Sequence, residues 1–139
     1  MKVQEIMTRK VECVDPTLPI AKVAEKMRDL NIGFIPICQA DRLVGTVTDR
    51  DITTQSVAQG RDPRLATVSE IMSASIFYCY EDEDIRDVAR QMQEKEVRRM
   101  IILNRNKRLV GVVSLGDLAR LVAEKSLAGE TLAKIAEAA

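Results

Sequence analysis

Thr48 and Asp51 stand three apart in "GTVTDRDI", residues 45 to 52, and Ser114 and Asp117 stand three apart in "GVVSLGDL", residues 111 to 118. Both stretches read as the end of a strand running onto a helix start. A hydroxyl followed three residues later by a carboxylate can do one of two things there. It can form a capping box, in which the hydroxyl accepts one backbone N–H and the carboxylate accepts another. It can also hold a nucleotide. The N–H groups of a helix start and the hydroxyl suit a phosphate, while an ionised Asp, which only accepts, suits the paired hydroxyls of a ribose. Gly45 and Gly111 fall inside the strands, where glycine marks close approach by a ligand or by another stretch of backbone. The residues leave both readings open.

The elements around the two motifs repeat. Shifted by 65, Val3, Glu5, Ile6 and Met7 meet Val68, Glu70, Ile71 and Met72, and Ile20, Val23, Ala24 and Met27 meet Ile85, Val88, Ala89 and Met92. After a one-residue insertion, Arg42–Gly45, Val47 and Asp51 meet Arg108–Gly111, Val113 and Asp117. This is an internal duplication. Each copy opens on a short helical turn at "EIM", with Thr67 and Glu70 forming a capping box before the second. A short strand follows, at Val11–Val14 and at Ile76–Cys79. Then comes an amphipathic helix with apolar residues at i, i+3, i+4 and i+7. Apolar runs at 34–38 and 43–48, and at 99–103 and 109–114, predict hairpins. A last helix begins near Asp49 and near Leu115, the first ending at Gly60. The chain thus predicts an α+β fold of two tandem β-α-β-β-α repeats, residues 1–60 and 68–124, with a linker at 61–67 and a helical tail at 125–139. About 60 residues bury too little to stand comfortably alone. The expectation is that the repeats pack sheet to sheet with pseudo-two-fold symmetry, leaving two equivalent clefts.

Composition removes several function classes. Lys+Arg and Asp+Glu are both 21, so no basic excess points to nucleic acid or a membrane surface. Aromatic residues make up 3%, too few for a base-stacking platform. The chain has no His, which removes the commonest zinc ligand and the commonest general base. No catalytic residue and no metal site is expected. Lys2, Glu5, Arg9 and Lys10 interrupt any secretory leader, and no apolar run approaches a membrane span, so the expected location is the cytoplasm. Cys13, Cys38 and Cys79 show no C-x-x-C spacing. If the strands carrying Cys13 and Cys38 run parallel and adjacent, these two thiols come within disulfide reach. A redox-responsive regulator is therefore one alternative, and a pair of buried thiols in a reducing compartment is the other.

The repeats "VQEIM…IPICQADRLVGTVTDRDI" and "VSEIM…RRMIILNRNKRLVGVVSLGDL" resemble a pair of cystathionine β-synthase (CBS) domains, a Bateman module, over roughly residues 2–123. The resemblance implies a non-catalytic sensor with no required cofactor. Its regulatory ligand would be an adenosine-type nucleotide such as AMP, ADP, ATP, NAD or S-adenosylmethionine. It also implies a homodimer acting on an unknown effector protein. On this resemblance Thr48 and Ser114 match the phosphate-contacting hydroxyl, and Asp51 and Asp117 the ribose-binding carboxylate. Phe34, Ile35 and Pro36 match the strand that holds the adenine. The second repeat has Met100-Ile101 and lacks the proline. Arg50, Arg98 and Arg99 are candidates for ligand phosphates, each with a solvated face as its plain alternative. A stand-alone interaction module without a ligand is the remaining rival.

Overall fold

The computed structural model describes residues 1–121 and 127–138. It divides into two compact units, Glu12–Ile76 and Phe77–Ala139 joined by Met1–Val11. The sequence repeats and the compact units are therefore different objects. The opening segment of each repeat packs in the unit built by the rest of the other repeat.

In the Glu12–Ile76 unit, helix α1 (Ile20–Leu30) precedes the hairpin of β1 (Phe34–Gln39) and β2 (Arg42–Thr48). α1 has no side-chain N-cap. Instead Ile20 N–H donates to the Ala66 carbonyl at 3.0 Å and Ala21 N–H to that of Pro63 at 2.8 Å, so the 61–67 linker satisfies donors a helix start leaves orphaned. The hairpin turns on Ala40 and Asp41 with φ of 50° and 63°, the paired left-handed residues of a type I′ turn. The motif follows: α2 (Asp49–Asp51) runs into a π-helical turn at Ile52–Val57. Ile20, Val23 and Met27 of α1 pack on Ile35, Ile37 and Val47 of the hairpin and on Val68 and Ile71.

The other unit carries β3 (Tyr78–Tyr80), α3 (Ile85–Lys95), β4 (Arg99–Leu103), β5 (Leu109–Ser114), α4 (Leu115–Arg120) and α5 (Leu127–Ala138). β3 pairs parallel to β4, and β4 antiparallel to β5. Asp84 caps α3 by accepting the Arg86 N–H at 2.8 Å. Val88 and Met92 of α3 pack on Met100, Ile102 and Val113, and on Val3 and Met7 from the chain's start. Among the described residues, no helix is long and apolar enough to cross a membrane.

The expected strand at Val11–Val14 is reduced to one bridge, Val14 to Ile37, whereas its counterpart forms β3, which starts two residues and ends one residue later than expected. Proline explains the difference. In the second repeat Glu81 N–H extends the ladder to the Leu103 carbonyl at 2.9 Å. Pro16 stands at the equivalent place in the first repeat and has no N–H to give. Asp15 beside it turns inward on Thr17, accepting its N–H at 2.9 Å and its hydroxyl at 2.6 Å.

The two strand glycines have a structural reason. Thr46 exchanges backbone hydrogen bonds with Ser73 at 3.0 and 2.9 Å, and Val112 does so with Thr8 at 3.0 and 2.9 Å. A methyl on Gly45 would lie 2.7 Å from Met72 Sδ and 2.9 Å from the Ser73 carbonyl oxygen. On Gly111 it would lie 2.6 Å from Met7 Sδ and 2.8 Å from the Thr8 oxygen. The close approach that these glycines mark is therefore by backbone. Gly45→Ala and Gly111→Ala should each lower stability by about 1–3 kcal/mol, the usual effect of overpacking. Urea unfolding of the two variants checks this, and a midpoint unchanged in both would contradict the pairing.

Candidate functional site

Each motif begins where a hairpin ends. Phe34 pairs across the sheet with Thr48, and Arg99 with Ser114. Asp49 N–H donates to the Gly33 carbonyl at 3.0 Å, and Leu115 N–H to that of Arg98 at 2.8 Å. The start of each hairpin is thus tied to the start of the helix after it. This brings Phe34 beside Thr48 and Asp51 in one unit, and Arg98 and Arg99 beside Ser114 and Asp117 in the other.

Both motifs form complete capping boxes. Thr48 N–H donates to Asp51 Oδ2 at 2.8 Å, and Asp51 N–H donates to Thr48 Oγ1 at 3.1 Å. Ser114 N–H donates to Asp117 Oδ2 at 2.7 Å, and Asp117 N–H to Ser114 Oγ at 3.2 Å. The structural role is real in both copies. It leaves capacity over in the first, because the other Asp51 oxygen and the Thr48 hydroxyl proton have no partner among the described residues.

The second copy differs. Asp117 is only 6% exposed, and its other oxygen takes a hydrogen bond from the Arg120 guanidinium. Arg120 is held in turn by Glu137 of α5 at 2.7 Å. α5 lies close enough on the motif that a methyl on Gly116 would sit 3.1 Å from Ala136 Cβ. In the first repeat Arg50 and Thr54 occupy the places of Gly116 and Arg120. The two departures are the residues that seat the tail.

The adenine-strand positions divide by alternation. Ile35 is fully buried in the core with Ile37, so its side chain is unavailable and only its backbone is left to a ligand. Phe34 is half-buried and Pro36 is buried, both in the opposite phase of the strand. Arg50 and Arg98 are exposed and Arg99 is half-buried.

The sequence motifs did not single out Arg120, which neutralises the second Asp. Its spacing of three from Asp117 is a helical ion-pair signal that could have shown it. The thiols of Cys13 and Cys38 lie 3.4 Å apart, sulfur to sulfur. Burial, the Cys38 hydrogen bond and the neighbouring charges push Cys13 up to about 12. Burial also raises Cys79 to about 12.

The repeated strand-to-helix motif on a duplicated α+β scaffold defines a tandem CBS pair. The CBS domain family model matches residues 3–57 and 68–124, and the chain belongs to that family. It is 38% identical over 125 residues to Hypoxic response protein 1 of Mycobacterium tuberculosis, covering 89% of this chain and 87% of that one. It is 37% identical over 133 residues to the CBS domain-containing protein YhcV of Bacillus subtilis, covering 96% and 94%. Among solved structures, Hypoxic Response Protein I with two coordinated zinc ions superposes with a TM-score of 0.77 over 87% of this chain and 98% of that chain. The CBS domain pair of protein MJ0100, in complex with 5′-methylthioadenosine and S-adenosyl-L-methionine, is 27% identical. It superposes with a TM-score of 0.80 over 91% of this chain and 98% of that one. In the present chain, among the described residues, no group of three or more His, Cys, Asp or Glu could hold a metal ion.

Losing a cap costs about 0.5–2 kcal/mol, so Asp51→Ala should lower stability within that range. Asp117→Ala should cost more than Asp51→Ala, because it also strips a buried partner from Arg120. Paired denaturant titrations give the order, and a larger loss for Asp51→Ala would contradict the buried pairing.

Proposed function

We propose that this chain is a regulatory CBS pair that senses an adenosine-containing ligand, with the first repeat as its open site. The observation that carries this reading is that, among the described residues, one Thr48 hydroxyl proton and one Asp51 carboxylate oxygen beside Phe34 have no partner. A donor and an ionised acceptor so placed suit a phosphate or sugar hydroxyl and a ribose diol respectively. The adenosine derivatives bound by the MJ0100 CBS pair support the same ligand class. Ser114, Asp117, Arg98 and Arg99 would form the weaker site, since Asp117 is already bound to Arg120. Pro36 gives the first repeat a strand edge without an N–H, which the second repeat lacks. The reading includes a cytoplasmic location and involves no required cofactor and no catalysis. Ligand binding acts by preferring one conformation of the chain over another, which changes the surface offered to an effector protein.

A second reading, an interaction module without a ligand, draws support from the two complete capping boxes and from strand glycines that serve backbone pairing. Binding separates the two. A ligand at 100 times its Kd adds about 2.7 kcal/mol, which should raise Tm by roughly 5–10 °C. At least one of AMP, ATP, NAD and S-adenosylmethionine should do this, and a flat panel would favour the module. By calorimetry, Asp51→Ala should weaken the selected ligand about 10- to 150-fold, the loss of a charge-assisted bond, and erase any preference for ribose over 2′-deoxyribose. Asp117→Ala should change affinity less.

The reading includes a homodimer. On α5, Leu127, Leu132 and Ile135 are exposed, and isologous pairing is the commonest way to cover such a face. Light scattering should return twice the 15.5 kDa chain mass. A monomer at micromolar concentration would refute it.

A further inference from the structure

We propose that Cys13 and Cys38 are a reversible dithiol–disulfide pair, a redox modification site that staples the first repeat where its sheet is weakest. Their sulfurs are 3.4 Å apart and both side chains are half-buried. Backbone hydrogen bonds hold the two strands at that spot. Val14 N–H donates to the Pro36 carbonyl at 3.2 Å, and Cys38 N–H to that of Val14 at 3.0 Å. Val14 and Ile37 point into the core, which leaves the adjacent positions 13 and 38 in the other phase. Closing the bond requires the sulfurs to approach from hydrogen-bond contact to about 2.05 Å, with no change of pairing.

The second repeat shows what the staple would replace. Three successive residue pairs join β3 to β4, from Tyr78 with Ile101 to Tyr80 with Leu103. The first repeat has a single bridge at this edge, because Pro36 at one end and Pro16 at the other have no N–H to continue the ladder. The positions equivalent to Cys13 and Cys38 are Tyr78 and Leu103, so the dithiol occurs only in the repeat whose edge is short of hydrogen bonds. Cys79 is almost fully buried in the other unit and stands as a bystander.

The oxidant is a small disulfide of the oxidised-glutathione class. Cys38 as thiolate attacks one oxidant sulfur, forming a mixed disulfide and expelling one thiol. Cys13 then attacks the Cys38 sulfur and expels the second thiol. Two cysteine S–H bonds and the oxidant S–S bond are lost. One protein S–S bond and two oxidant S–H bonds are gained, so the protein gives up two electrons and two protons. Cys13 suits the second, resolving step. Burial above all, with the neighbouring Cys38 adding to it, holds Cys13 as the thiol, and capping Cys38 removes that addition. Closure should therefore speed up as pH rises, because the thiolate is the attacking form.

The cysteines are 25 residues apart, and the loop the bond closes contains α1 together with Phe34 and Pro36. Crosslinking a loop of that size should raise Tm by on the order of 5–10 °C. Closure can be tested without any nucleotide, so its outcome is independent of the ligand reading. The purified chain would be equilibrated with oxidised glutathione, quenched in acid, unfolded, and assayed for free thiols and intact mass. The expected result is one thiol instead of three, a monomeric mass lower by two hydrogens, a raised Tm, and recovery of all three thiols with dithiothreitol. Cys79→Ser should close as the wild type does, leaving no thiols. Cys13→Ser should stop at a glutathione adduct and show no rise in Tm. Three surviving thiols in the wild type, a glutathione adduct without closure, or a bond between two chains would each overturn the proposal.

Discussion

A side chain at position 45 or 111 would collide with the carbonyl of Ser73 or Thr8. The pairings of Thr46 with Ser73 and of Val112 with Thr8 would then open. Those pairings bring Val68 and Ile71 into one core, and Val3 and Met7 into the other. They also complete the edges of β2 and β5, the strands that deliver the chain to its two motifs. Two glycines thus let each unit be closed by a segment from the opposite repeat.

With the strands held, a second constraint acts at their ends. A helix start leaves several N–H groups without partners, and a hydroxyl and a carboxylate three apart satisfy some of them. Ligand binding would draw on the same atoms, so the two roles are compatible only where hydrogen-bonding capacity remains. Among the described residues nothing engages the second oxygen of Asp51, whereas Asp117 has both oxygens engaged. Duplication has therefore left two similar backbones with unequal chemistry. The inequality lies outside the shared motif, at Arg50 against Gly116 and at Thr54 against Arg120.

The same contrast governs the sheet edges. Prolines at positions 16 and 36, against Glu81 and Ile101, decide whether the first strand of a repeat zips onto its neighbour. Where it does not, two thiols lie side by side. Each repeat thus has its own specialised feature: an open carboxylate and a dithiol in the first, and a tail-sealed motif in the second.

Local pattern was enough for much of this. The duplication, both hairpins, the apolar faces of α1 and α3 and the capping chemistry were legible in the sequence, because each depends on residues a few positions apart. So was the CBS resemblance, carried by one motif in two copies. What depended on distant partners was not legible. Gly45 and Gly111 announced a close approach, but a glycine cannot say whether backbone or ligand arrives. The exchange of opening segments depends on pairings such as Thr8 with Val112, which leave no periodic trace. Ile35 entered the candidate site on resemblance, and alternation leaves only its backbone there, because the core claims its side chain. The closeness of Cys13 and Cys38 was conditional on two strands lying parallel and adjacent, and the tertiary fold supplied that at a single bridge. Neighbouring residues were enough to specify the hairpins, the amphipathic helices and the capped helix starts, but not the strand at Val11–Val14, which shrinks to one bridge. Tertiary packing settled how the two motifs differ, because the Arg120 that engages Asp117 is itself held by Glu137 of α5, 17 residues further along the chain.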